Sequence, residues 1–175
     1  MVRGFLLNNQ LTDFSSYAKD EDGVLIANRV EPGKRPRSSM SPHIVFNPDG
    51  EFLFTTGSPG GNSIIAYTAK TIVGVIDWEL SPQEAIELPN VIARRGTLRM
   101  EAQNLRNADT DELDRGKGAK EFGMSEEIVS GLEAMGHKVR RSGGEISGLH
   151  IIYRQTDGTL IGGADPRREG TAERQ

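Results

Sequence analysis

Residues 43–76, HIVFNPDGEFLFTTGSPGGNSIIAYTAKTIVGVI, limit the fold more than any other stretch of the chain. Two runs of β-branched and aromatic residues flank NPDG, where Asn47, Pro48, Asp49 and Gly50 each suit a turn position. Strands are therefore predicted near 43–47 and 51–57 as a hairpin. After SPGG, Ile65, Ala69, Ile72, Val73 and Ile76 recur at helical spacing up to Asp77, which predicts a helix whose apolar stripe packs on that hairpin. A hairpin running through a glycine turn into an amphipathic helix implies a helix layer over an antiparallel sheet.

The remaining elements fit that scheme. SPQEAIELP offers Ser81 as N-cap, Pro82 at the first helical position and Glu84 at the third, predicting a short helix that Pro89 stops. SEEIVSGLEAMGHKV predicts a further helix from its cap Ser125 to Gly136, with Ile128, Val129, Leu132 and Met135 along one side. A strand over HKVRR and a hairpin around TDG follow. A short buried strand is predicted at Phe5 to Leu7, a long surface loop over 17–42, and an exposed charged connection over 104–120. The predicted class is α+β, with helices on one face of a largely antiparallel sheet. Residues 1–166 read as a single domain and 167–175 as a polar tail.

Composition removes several chemistries. No cysteine occurs in the 175 residues, so a disulfide framework, a thiolate zinc site and a cysteine nucleophile are excluded. A net charge of -4 sets up no field that would draw in nucleic acid. No apolar run approaches the ~18 residues of a membrane span. His43, His137 and His150 lack metal-ligand spacing and read as strand-edge residues. DTDELDRGKGAK fails as a calcium loop, because Leu113 falls where an oxygen ligand belongs and Asp114 where the glycine belongs. Neither metal nor organic cofactor, nucleic acid nor membrane is expected as a partner.

Three short segments carry candidate chemistry. In GSPGG, Gly60 and Gly61 precede a helix start, where bare amides can receive an oxyanion; a tight turn needing positive φ is the plainer reading. In KRPRSSMSP, the hydroxyls of Ser38 and Ser39 beside Lys34, Arg35 and Arg37 could hold a carboxylate, or line a solvated loop. In NNQLTDFSS, Gln10 and Asp13 follow the predicted first strand, where a carboxylate could meet a ligand ammonium or simply cap a turn.

Taken in order, GFLLNNQLTDFS, PGKRPRSSMSP, TTGSPGG and GGADPRREG closely resemble the small-subunit part of the γ-glutamyltranspeptidase family, the glutathione hydrolases, almost from end to end. The resemblance implies an N-terminal-nucleophile hydrolase with a four-layer αββα fold, made as a precursor that cuts itself into a large and a small subunit. It assigns Asp13 to the α-amino group of the γ-glutamyl moiety with Gln10 beside it, Ser38 and Ser39 to the α-carboxylate, and Gly60 and Gly61 to the oxyanion. Such a set suits a zwitterionic amino acid undergoing acyl transfer. These groups are expected to share one cavity. It further suggests a periplasmic or extracellular setting, on which the residues themselves are silent.

Two departures accompany the resemblance. Thr12 stands where many members have a second acidic residue. The family's nucleophile is a threonine at the new N-terminus of the small subunit, whereas this chain begins MVRGF and removing Met1 would expose Val2. The isolated chain is therefore expected to supply pocket and oxyanion hole without turnover, completed by a large subunit or upstream segment. Exposed sheet edges would favour self-association, which sedimentation reads directly. The alternatives are a binding or scaffold module of the same fold, and a sister acylase for glutaryl or poly-γ-glutamate substrates.

Overall fold

A computed structural model describes residue 4 and residues 7–101, 123–142 and 147–172. They form two compact units, Met1–Ser39 and Met40–Gln175. The first contains little regular structure. A 3-10 turn spans Gln10–Asp13, and isolated bridges join Ser15 to Arg29 and Lys19 to Leu25. Most of the strand expected at Phe5 to Leu7 lies outside the described residues, and Leu7 is exposed and not in a strand.

The second unit holds the core. Strands β1 (His43–Phe46), β2 (Phe52–Gly57), β6 (His150–Arg154) and β7 (Leu160–Ala164) form an antiparallel sheet in the order β1-β2-β6-β7. The NPDG turn closes as predicted, with Asn47 exchanging backbone bonds with Gly50 and Glu51 and its side chain accepting from the Asp49 and Glu51 amides. Helices α1 (Ile64–Ile76) and α2 (Pro82–Glu87) pack on one face, where Phe54, Tyr67, Val75, Ala85, Ile86, Leu149 and Ile151 make the core. α2 starts on the full capping box: Ser81 Oγ accepts from the Glu84 amide, and the Glu84 carboxylate accepts from the Ser81 amide.

Of the stripe predicted to bury α1, Ile72 packs against the core and the rest is exposed. Ile65, Val73 and Ile76 are exposed, whereas Ile64, Tyr67, Thr68, Thr71, Gly74 and Val75 face inward. Polar residues can take that face because their hydroxyls are satisfied within the helix. Thr68 Oγ1 donates to the Ile64 carbonyl and Thr71 Oγ1 to the Tyr67 carbonyl.

A second sheet was not foreseen. β3 (Val91–Arg94) and β4 (Thr97–Glu101) form a hairpin through Arg95 and Gly96, and β5 (Lys138–Ser142) joins β4 in parallel. Parallel pairing needs a crossover. α3 (Glu126–Ala134), capped by Ser125 as predicted, lies on that connection. The charged stretch 104–120 lies outside the described residues. No described helix is long and apolar enough to cross a membrane.

Candidate functional site

The Gln10–Asp13 turn is closed by its own side chains. Thr12 Oγ1 donates to the Asn9 carbonyl at 2.7 Å, and Asn8 Oδ1 accepts from the Gln10 amide at 3.2 Å. Thr12, one of the two departures from the family resemblance, thus closes the turn. The Asp13 side chain is exposed, while its carbonyl accepts from Asn28 Nδ2 at 2.7 Å. The other end of the same carboxamide, Asn28 Oδ1, accepts from the Arg37 amide at 2.9 Å. Ser38 is exposed and Ser39 half-buried, directly after that anchored residue. Between the two contact points the chain is knotted by Glu31, which pairs with Arg29 and Lys34 at 2.8 Å each. The Lys34 hydrogen bond above all holds the Glu31 carboxyl below its ordinary value.

In the second unit, Gly60 and Gly61 bridge β2 and α1. Gly60 is buried with φ 136°, a conformation side-chain-bearing residues rarely adopt, and Gly61 has φ 52°. A Cβ on Gly60 would stand 2.5 Å from Tyr67 Cε2. The Gly60 carbonyl accepts from the Ser63 amide, turning the chain into the helix. Neither glycine amide donates a hydrogen bond to a described residue. Behind them, Ser58 Oγ accepts from the Gly148 amide at 3.1 Å, and the Pro59 ring sits where a Gly148 Cβ would lie.

Gly148 lies between Ser147 and Leu149, which both enter a buried polar network that sequence reasoning missed. Asp165, with no exposed surface, accepts from Ser147 Oγ and from the Leu149 amide. Arg167 Nη1 bonds Asp165 at 3.1 Å, and its Nε and Nη2 grip the Glu101 carboxylate. Arg167 and Lys70 also serve the end of α2. The Ile86 and Leu88 carbonyls accept from both cations, and the Glu87 carbonyl from Arg167. The residue placed at the head of a polar tail is in fact an anchor, its side chain only 2% exposed.

Burial, followed by the Arg167 charge, pushes the Lys70 ammonium down to about 7 from an ordinary 10.5. Burial pushes the Asp165 carboxyl up; the Ser147 bond, the Arg167 charge and two backbone amides outweigh it and leave the carboxyl below its ordinary value. For Lys70 the unfolded chain binds the extra proton throughout the interval between those two values. Stability is therefore expected to rise with pH from about 7 toward 10, at up to about 1.4 kcal/mol per pH unit. Urea unfolding at pH 7 and 9 checks this, with Lys70→Met removing the slope.

The second unit thus holds a helix-backed antiparallel sheet with a glycine amide turn leading into its first helix, and the first unit, taken by itself, presents an exposed carboxylate and hydroxyls. The family model for gamma-glutamyltranspeptidase matches residues 1–174. The glutathione hydrolase proenzyme of Escherichia coli (strain K12) is 38% identical over 172 residues, covering 94% of this chain and 26% of that protein. The acylase ACY 1 proenzyme of Pseudomonas sp. (strain SE83) is 31% identical over 168 residues, covering 96% of this chain and 25% of the relative. A threonine-to-alanine mutant of the Helicobacter pylori gamma-glutamyltranspeptidase aligns with TM-score 0.71 at 30% identity, covering 95% of this chain and 83% of that one. Fold and neighbours define a portion of an N-terminal-nucleophile hydrolase. The chain belongs to the gamma-glutamyltranspeptidase family, and it spans about a quarter of the length of these curated relatives.

Proposed function

We propose that the chain serves γ-glutamyl hydrolysis and transfer, with glutathione-like γ-glutamyl amides as donors. Asp13 and Gln10 take the donor's α-ammonium, Ser38 and Ser39 its α-carboxylate, and the amides of Gly60 and Gly61 the oxyanion of the tetrahedral intermediate. The nucleophile comes from outside these 175 residues. The observation that carries this reading is the Gly60–Gly61 turn: two amides without described partners at a helix start, on a backbone only glycine adopts easily. The amides cost nothing to reorganise as negative charge develops, because Tyr67 and Pro59 already hold the turn.

A four-layer sandwich goes with this function. Ile44, Phe46, Ile152 and Leu160 stand on the sheet face opposite α1 and α2, 65%, 58%, 48% and 58% exposed. Gly170 approaches that face at His150, and Ala172 at Gly162. An apolar sheet face of this kind suits a second sheet, drawn from the remainder of a precursor. A periplasmic or extracellular setting, implied by the family resemblance, accompanies the reading.

The test is release of anilide from a γ-glutamyl anilide. The chain alone is expected to release none, and the chain joined to the upstream segment of its precursor to turn over. Asp13→Ala should then lower kcat/KM by about 10- to 150-fold, the equivalent of one charge-assisted hydrogen bond of about 1.5–3 kcal/mol. Turnover by the isolated chain would contradict the assignment. The acylase relative motivates a second arm with glutaryl anilide, which lacks the ammonium that Asp13 would bind. Equal rates on the two substrates, unaffected by Asp13→Ala, would favour the acylase reading.

A further inference from the structure

We propose that Asn28 is a positioning residue that sets the spacing between the ammonium site and the carboxylate site of the first unit. The inference rests on the assignment of Asp13, Ser38 and Ser39 just given. In an α-amino acid the ammonium and carboxylate hang from one carbon, so a site that takes both must hold its two binding loops at a fixed separation. Neither loop here has a sheet ladder to fix it. Asp13 ends a single 3-10 turn, and Arg37 to Ser39 lie in irregular chain.

The carboxamide of Asn28 supplies the missing tie, donating to the Asp13 carbonyl at 2.7 Å and accepting from the Arg37 amide at 2.9 Å. Its orientation is unambiguous, because a carbonyl can only accept and an amide N–H can only donate. The Asn28 carbonyl accepts from the Ser15 amide at 2.8 Å, so the residue is itself held on the far side of Asp13. It reaches 15 residues back and 9 forward, joining the two sequence segments that carry the candidate ligands. An ordinary loop staple would stabilise the unit without touching ligand preference. A spacer must do both.

Three probes separate these roles: L-glutamate, glutarate, which lacks the ammonium, and 4-aminobutanoate, which lacks the α-carboxylate. Calorimetry on the full chain is expected to show glutamate bound most tightly. Asn28→Ala should weaken glutamate about tenfold while leaving each single-headed probe within about twofold, since preorganisation matters only when both loops are engaged at once. Asn28→Asp keeps the acceptor for Arg37 but loses the donor to Asp13, and should fall between wild type and Asn28→Ala; it also provides the reading if the alanine variant does not fold. Equal weakening of all three probes, or no change in any, would overturn the role of Asn28 while Asp13→Ala still abolishes glutamate binding. Failure of the wild-type chain to prefer glutamate over both single-headed probes would instead overturn the underlying site assignment, and the spacer with it.

Discussion

Replacing Arg167 with alanine is expected to destabilise the second unit by about 3–5 kcal/mol, the range seen when one partner of a buried ion pair is removed. That is a large share of the roughly 5–15 kcal/mol that holds a domain together. The expectation follows from what the side chain leaves behind. Asp165 has no exposed surface and Glu101 only 6%, so neither carboxylate could recruit bulk water in its place. The Glu87 carbonyl at the end of α2 would lose its Arg167 donor, and those of Ile86 and Leu88 would retain Lys70 alone. Arg167→Lys should recover only part of the loss, since one ammonium cannot span Asp165, Glu101 and three carbonyls as the planar fork does. Urea unfolding of the three proteins is the measurement, and a loss below about 1 kcal/mol for Arg167→Ala would mean that water enters the network freely. The same variant should also raise the Lys70 pKa, because the Arg167 charge is the second force depressing it, so the slope of stability between pH 7 and 9 should flatten.

What could be read beforehand and what could not divides along the range of the forces involved. The NPDG turn, the Ser81 and Ser125 caps and the helix after SPGG are set within a few residues, and they fold as their local chemistry dictates. The β3-β4 hairpin escaped because its turn places Arg95, a poor choice for φ 48°, before Gly96; no Asn-Gly or Asp-Gly marks the reversal. The buried face of α1 escaped because apolar periodicity assumes that burial excludes hydroxyls, and Thr68 and Thr71 satisfy theirs on the preceding turn. Least legible was the network of Lys70, Glu101, Ser147, Asp165 and Arg167, which Asn90 completes by accepting from Lys70 and donating to Glu101 and Ser147. Its members are scattered over nearly a hundred positions and each alone looks like surface. For the candidate site, residue type and motif order pointed to Gln10, Asp13, Ser38, Ser39, Gly60 and Gly61. The side chain that joins two of those motifs, Asn28, lay unremarked in a polar loop.

The second large effect concerns Gly60. Gly60→Ala is expected to lower kcat of the completed enzyme by about 10²–10³-fold with little change in KM, the loss associated with one oxyanion donor. Two separate obstacles meet the added methyl group. At φ 136° an L side chain is strained whatever space surrounds it, and here the Cβ would stand 2.5 Å from Tyr67 Cε2 and 3.0 Å from Cδ2. Tyr67 cannot swing aside cheaply, because it is 3% exposed and packed in the core cluster with Phe54, Ile86 and Leu149. Either the ring or the turn must move, and a moved turn re-aims the amides. Gly60→Ala combined with Tyr67→Leu removes the ring but not the φ requirement. If amide direction is what matters, the double variant should regain folding stability relative to Gly60→Ala while kcat stays low. Gly61→Ala provides the contrast: at φ 52° it enters the left-handed region at a cost of about 1–2 kcal/mol and keeps its own N–H in place. A Gly60→Ala enzyme with unimpaired kcat would show that these amides take no part in stabilising the intermediate, and the PGG turn would then be only a way of entering α1.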